Sequence, residues 1–126
     1  MSRFLPSIGA LSAAVAILAG AFGAHGLKDH VSVEYLSVWE TAANYHLIHS
    51  VALFFASRDL DGQPAFSRLL PSYCFVLGIL CFSGSLYALV LTGAKWLGPI
   101  TPLGGLLYMV GWASLAWTHL PKKTQP

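Results

Sequence analysis

Four apolar stretches without a single Lys, Arg, Asp or Glu make up most of this sequence. They cover roughly residues 4–24, 41–56, 69–91 and 102–120. A helix needs about 20 apolar residues to cross the hydrocarbon of a bilayer. Charged residues are only 10% of the 126-residue chain, whereas soluble domains carry about 25%. The sequence therefore predicts an all-α integral membrane protein, a four-helix bundle in which residues 1–126 form a single domain.

The first apolar stretch has a second interpretation, as a cleaved secretory signal. Arg3 precedes it and it ends in small residues, as such signals do. The apolar run is longer than the 7–15 residues of a signal core, so we expect a permanent helix.

Basic residues beside the stretches predict the orientation. Five lie on the side that an even number of spans gives to both termini and the middle loop: Arg3, Arg58, Arg68, Lys122 and Lys123. Only Lys28 and Lys95 lie on the other side. The positive-inside rule then places both termini in the cytoplasm of a bacterial or equivalent inner membrane. The expected partner is the lipid bilayer, with no nucleic acid.

The segment between the first two stretches, residues 28–40, mixes apolar and charged positions. It is too short and too polar to cross a membrane. We expect it to lie along the outer interface, leading into the second span, with Trp39 in the aromatic belt at that surface.

Small residues recur at helical spacing and predict where helices touch. In lipid, close backbone approach at such residues drives helix association. The first span carries Gly9, Ala13, Ala16, Gly20, Gly23 and Ala24 on one face. The third carries Cys74, Gly78, Cys81, Ser85, Ala88 and Thr92, and the fourth Gly104, Gly111 and Thr118. On this interpretation both cysteines are packing residues.

Polar residues in the four spans fall at similar depth and form one candidate site: His25, His46, His49, Ser83, Tyr87 and Thr101. His46 and His49 are spaced i, i+3, so their imidazoles can face one point. They are weak candidates for metal ligands, because a third ligand is not evident. The alternatives are hydrogen bonds that hold helices together, or contact with a quinone or haem. If the site consists of hydrogen bonds between helices, no cofactor is expected.

Several segments together resemble the family catalogued as domain of unknown function 423. They are residues 20–26 (GAFGAHG), 43–50 (ANYHLIHS), 82–87 (FSGSLY) and 101–105 (TPLGG), followed by Gly111-Trp112. The resemblance covers all four spans. It implies a small four-helix integral membrane protein, in bacteria of the inner membrane, without an established activity. His25 and His49 match the family pattern, and position 46 varies between Gln and His.

We therefore expect a small accessory or scaffold protein that assembles with itself or with a larger membrane complex. A quinone-, haem- or metal-binding subunit is the competing class, and a small-solute transporter or channel is a third. The spans contain no carboxylate for ion coupling, which argues against an ion-driven transporter. An enzyme is not the expected class, since Ser83 or Ser85 beside a histidine is only a weak nucleophile signal.

Overall fold

The chain is all-helical throughout the part that the computed structural model describes, which is residues 2–58, 65–121 and 123. Four long helical segments follow one another. The first joins a 3-10 turn (Ser2–Phe4), α1 (Leu5–Phe22) and a π-helical turn (Gly23–Leu27), and the second is α2 (Val33–Arg58). The third joins α3 (Ala65–Gly78), a π-helical turn (Ile79–Gly84) and α4 (Ser85–Thr92). The fourth joins a 3-10 turn (Lys95–Ile100) to α5 (Thr101–Thr118).

Three of these segments are long and apolar enough to cross a membrane: Ser2–Leu27, Leu69–Thr92 and Lys95–Thr118. The segment α2 is not among them, since Asn44 and two histidines lower its apolarity. It also begins at Val33 and not near Thr41. The hydroxyl of Ser32 accepts a hydrogen bond from the backbone N–H of Tyr35 at 3.2 Å, which is an N-cap. Much of the expected interfacial segment is therefore the first part of α2.

The helices pack as two pairs, and α2 joins one pair to the other. The segment α1 lies on α2, α5 lies on α3, and α2 also contacts α3, the Ile79–Gly84 turn and α4. Glycines mark the closest approaches. A Cβ on Gly9 would lie 2.7 Å from the backbone nitrogen of Phe54, and one on Gly104 would collide with the backbone at Phe82. These helices are therefore in contact at the level of their backbones.

The small-residue stripe predicted on the first span is only half correct. Gly9, Ala16 and Gly23 are buried, as expected. Gly20 and Ala24 are exposed, and a Cβ on Gly20 would meet no atom within 4 Å. The packed face of α1 is rotated away from them. In the third and fourth segments Cys74, Gly78, Ser85, Gly104 and Gly111 are buried, as the stripes predict.

The expectation for Trp39 is wrong. Its side chain is buried with Leu27 and Val90, and its ring lies 5.7 Å from that of Phe22. The indole N–H donates to the carbonyl oxygen of Ala19 at 2.7 Å. A buried indole needs such a partner, and this one ties α2 to α1.

Candidate functional site

His46 connects three helices through its two ring nitrogens. The side chain is 6% exposed, near the middle of α2. Its Nε2 lies 3.0 Å from the hydroxyl of Ser12 on α1, and its Nδ1 lies 3.0 Å from the hydroxyl of Tyr87 on α4. Ser12 is in turn 2.7 Å from the hydroxyl of Ser50, which also contacts the carbonyl oxygen of His46 at 2.7 Å. The polar groups thus form a chain across α4, α2 and α1.

The direction of this chain follows from counting hydrogens. Ser50 has one hydroxyl hydrogen, and it goes to the His46 carbonyl, which can only accept. Ser12 must then donate to Ser50, so its own oxygen accepts from the Nε2–H of His46. The Nδ1 of His46 is left as an acceptor for the hydroxyl of Tyr87. The partners therefore assign the Nε2–H tautomer to a neutral His46.

His49 lies one turn further along α2 and faces α5. The Nδ1–H donates to the carbonyl oxygen of Tyr45 at 2.7 Å, and Nε2 accepts from the indole N–H of Trp112 at 3.1 Å. The imidazole is 4% exposed and stacks on the ring of Tyr108, with centroids 3.4 Å apart. His49 therefore faces inward and makes a hydrogen bond between helices, one of the alternatives that the sequence leaves open for the candidate site.

The structure places the other candidate residues around these two histidines, with different partners. The hydroxyl of Ser83 donates to the carbonyl oxygen of Ala42 at 2.7 Å, so it joins the Ile79–Gly84 turn to α2. The hydroxyl of Thr101 lies 2.6 Å from that of Ser85 and joins α5 to α4. The ring of Tyr87, besides its bond to His46, lies 4.6 Å from that of Trp39.

His25 is outside this cluster. The Gly23–Leu27 segment is indeed unwound from a regular α-helix, into a π-helical turn. That turn buries Gly23 and Leu27, whereas His25 is exposed. A Cβ on Gly23 would collide with the ring of Trp39, so the indole packs directly against this turn.

The two histidines do not point at one atom. His46 is directed at α1 and α4, and His49 at α5, with both nitrogens of each engaged. Within the described ranges, no group of three His, Cys, Asp or Glu side chains is placed to hold a metal ion. The arrangement can hold helices together by hydrogen bonds in a medium without water, where each unmet polar group is costly.

Sequence reasoning missed several members of the site. Ser12 and Ser50 complete the chain from His46, and Tyr45, Tyr108 and Trp112 surround His49. Ser12 and Ser50 are polar residues inside apolar spans, and that signal alone could have drawn attention to them. The aromatic residues carried no such signal, because aromatic side chains are equally common on lipid-facing surfaces.

A groove open to the surroundings runs between α2 and α5, which we call the α2–α5 groove. It consists of two adjoining cavities of about 580 Å³ and about 510 Å³, both lined by Ile48 and Trp112. Tyr45, His49, Gly105 and Tyr108 line the larger cavity, together with Phe82, Pro102, Leu106 and Met109. The smaller one is lined by Leu47, Val51, Ala52, Phe55 and Leu115.

Long apolar helices with interior histidines that bond to polar groups of neighbouring helices define a small helical membrane protein. The chain belongs to the family described as "Protein of unknown function (DUF423)", which it matches over residues 19–105. It is 46% identical over 108 residues to a UPF0382 membrane protein of Staphylococcus aureus, covering 86% of this chain and 88% of the relative. It is 40% identical over 106 residues to UPF0382 membrane protein YwdK of Bacillus subtilis, covering 83% and 86%. No solved structure matches the chain.

Proposed function

We propose that this protein is a small accessory or scaffold protein of the bacterial inner membrane that assembles with itself or with a larger membrane complex. One observation carries the proposal. Besides its packed face, α1 has an exposed stripe of small residues at Ser7, Ala10 and Ala14, spaced by three and four positions. Beyond the exposed Ile17, Ala21 and Ala24 continue the stripe into the π-helical turn. Such spacing places them along one side of a helix, where a second helix can approach closely.

The faces of α1 differ in the size of their side chains. Its packed face consists of small residues against α2. A second face presents large apolar side chains, suited to lipid: Ile8, Leu11, Val15, Leu18 and Phe22. The third face of α1 is the exposed stripe of small residues. Since lipid tails are as apolar as leucine, helices associate in a membrane by close packing and not by hydrophobic burial. The third face suits a partner helix better than the second.

The interior supports a structural role for the polar cluster. His46 and His49 use both ring nitrogens on neighbouring helices, and Ser83 and Thr101 are bonded as well. Groups engaged in this way hold a scaffold in one shape, whereas a general base needs a free nitrogen within reach of substrate.

In this proposal all four segments cross the membrane as a four-helix bundle, with both termini in the cytoplasm. The charged residues of α2 support its crossing. Glu34 and Glu40 lie in its first turns and Arg58 ends it, while the exposed side chains between them include Ile48, Val51 and Phe55. An uncharged centre between charged ends is typical of a helix that spans a bilayer.

Disulfide crosslinking in native membranes tests the assembly. In a background with Cys74 and Cys81 replaced by Ala, Ala14→Cys is compared with Val15→Cys, which is 54% exposed on the large-residue face. Adjacent helix positions point in different directions, so the two cysteines lie at one depth but on different faces. We expect efficient crosslinking of Ala14→Cys, to a second copy or to another membrane protein, and little of Val15→Cys. Equal crosslinking at both positions, or none with a monomeric mass in lipid nanodiscs, would contradict the proposal.

A further inference from the structure

We propose that the α2–α5 groove binds a neutral amphiphile of the quinone class. Its planar ring lies at Tyr45 and its apolar tail lies along the half of the groove that ends at Phe55. This goes beyond the scaffold role and does not depend on it. It also differs from a site at the buried histidines, whose nitrogens are already occupied.

The dimensions of the groove fit an elongated molecule. Its two cavities, of about 580 Å³ and about 510 Å³, each fall in the ordinary range of about 300–1,000 Å³ for small-molecule sites. The lining runs along α2 from Tyr45 to Phe55. Ten residues of α-helix rise about 15 Å, so the slot extends over roughly half of a hydrocarbon core of about 30 Å.

The charge of the lining selects a neutral occupant. Among the residues that the structure describes, no Lys, Arg, Asp or Glu lines either cavity. His49 is the one side chain there that can become cationic, and both its nitrogens are engaged by Tyr45 and Trp112. A phosphate or carboxylate placed here would have no counter-charge in a medium where an unpaired ion is very costly. Because the lining has no charge to pair with them, phospholipid headgroups and acidic ligands do not fit this groove.

The two halves of the groove differ, and the difference orients the ligand. The half near Tyr45 has aromatic walls: the Tyr45 ring lies 4.6 Å from Phe82 and 5.8 Å from His49, with interplanar angles of 29° and 15°. Tyr45 lines this half and is 42% exposed. A planar ring can stack on these rings, and its carbonyl oxygen can accept from the phenol. The other half is lined entirely by apolar side chains and tryptophan, which suits an isoprenoid or alkyl tail.

The rim of the groove favours a thin ligand over a transmembrane helix. Ile48, Met109 and Trp112 are large and exposed at its edges. Helices associate in membranes where small residues allow backbones to approach, and these side chains prevent such approach. A flexible tail can still enter between them.

The test is fluorescence quenching by decylubiquinone of the full chain in phosphatidylcholine nanodiscs. Trp96→Phe and Trp117→Phe remove two exposed indoles and leave Trp112 in the groove and the buried Trp39. The emission of Trp39 alone is measured after Trp112→Phe in the same background and subtracted. Gly105→Leu fills the groove, since a Cβ there would meet only the ring of Phe82, at 3.9 Å. Leu103→Phe, exposed on α5 but outside the lining, is the matched control. Thermal melts verify that each variant folds.

We expect saturable quenching that Gly105→Leu weakens about tenfold or more, because the added side chain occupies the site. Tyr45→Phe should weaken it about three- to tenfold by loss of one hydrogen bond, and Leu103→Phe should have no effect. If Gly105→Leu does not fold, the proposal is tested by the loss of quenching in Tyr45→Phe and by whether decanol displaces the quinone. Non-saturating quenching that is equal in all variants, or decanol competing as well as the quinone with no effect of Tyr45→Phe, would overturn the proposal.

Discussion

The indole N–H of Trp112 donates to Nε2 of His49 across 3.1 Å, from α5 to α2. The same imidazole donates its Nδ1–H to the carbonyl oxygen of Tyr45 on its own helix. His49 is therefore assigned the Nδ1–H tautomer, opposite to that of His46, although the two residues lie less than one turn apart.

The first prediction is that the two histidines have opposite neutral tautomers. In nitrogen-15 spectra of membrane-reconstituted protein, His46 should show a protonated Nε2 and His49 a protonated Nδ1. The assignment follows from donors and acceptors alone. Identical tautomers, or a charged imidazole at either position at neutral pH, would contradict it.

The second prediction concerns the bond between α5 and α2. Trp112→Phe keeps an aromatic ring beside Phe75 but removes the donor to His49. We expect the free energy of unfolding to fall by about 0.6 kcal/mol, the average measured for hydrogen bonds between membrane helices, and by no more than about 1.7 kcal/mol, the largest such value. Reversible unfolding in mixed micelles measures it. Trp117→Phe, which changes an exposed indole, serves as the control and should alter stability little.

The third prediction compares two glycines. Gly104→Ala should destabilise the protein by about 1–3 kcal/mol, the usual cost of overpacking, because the methyl group would collide with the backbone at Phe82. Gly20→Ala should leave the stability of the single chain unchanged or higher, since its methyl group meets nothing within 4 Å and alanine favours helix. Thermal unfolding of the two variants in the same detergent measures the difference. Equal losses of stability would show that α5 does not approach the Ile79–Gly84 turn so closely.

The fourth prediction concerns orientation. The distribution of basic residues, five against two, predicts that a cytoplasm-active reporter works when fused to either terminus. A reporter active only outside the cytoplasm should work after Lys95. A C-terminus found outside would refute the orientation, and termini found on opposite sides would refute the four crossings.

Helices and their small packing faces could be predicted from the sequence because composition and spacing determine them locally. The four long helical segments cover the four predicted stretches, and the buried glycines of the third and fourth lie where the stripes place them. The start of α2 was missed because its first turns are polar and their helicity depends on the Ser32 cap more than on apolar periodicity.

The partners of the candidate residues could not be predicted, because they depend on how the helices rotate against one another. The sequence indicates that His49 needs a partner, but it does not choose among the polar groups of the later helices. Trp112 supplies the donor only because Gly104 and Gly111 let α5 approach α3 and the turn that follows it. His25 shows the converse, since the indole of Trp39 packs against Gly23 and leaves no room for the imidazole there.

The chain of hydroxyls from Tyr87 through His46 and Ser12 ends where Ser50 donates to the carbonyl oxygen of His46. A proton relay needs an exit, a group that can pass its proton to water or to another carrier. An amide carbonyl can accept a hydrogen bond but has no proton to hand on. The chain of hydrogen bonds therefore closes on His46, the residue at its centre. It couples α1, α2 and α4 mechanically and provides no path for proton transfer.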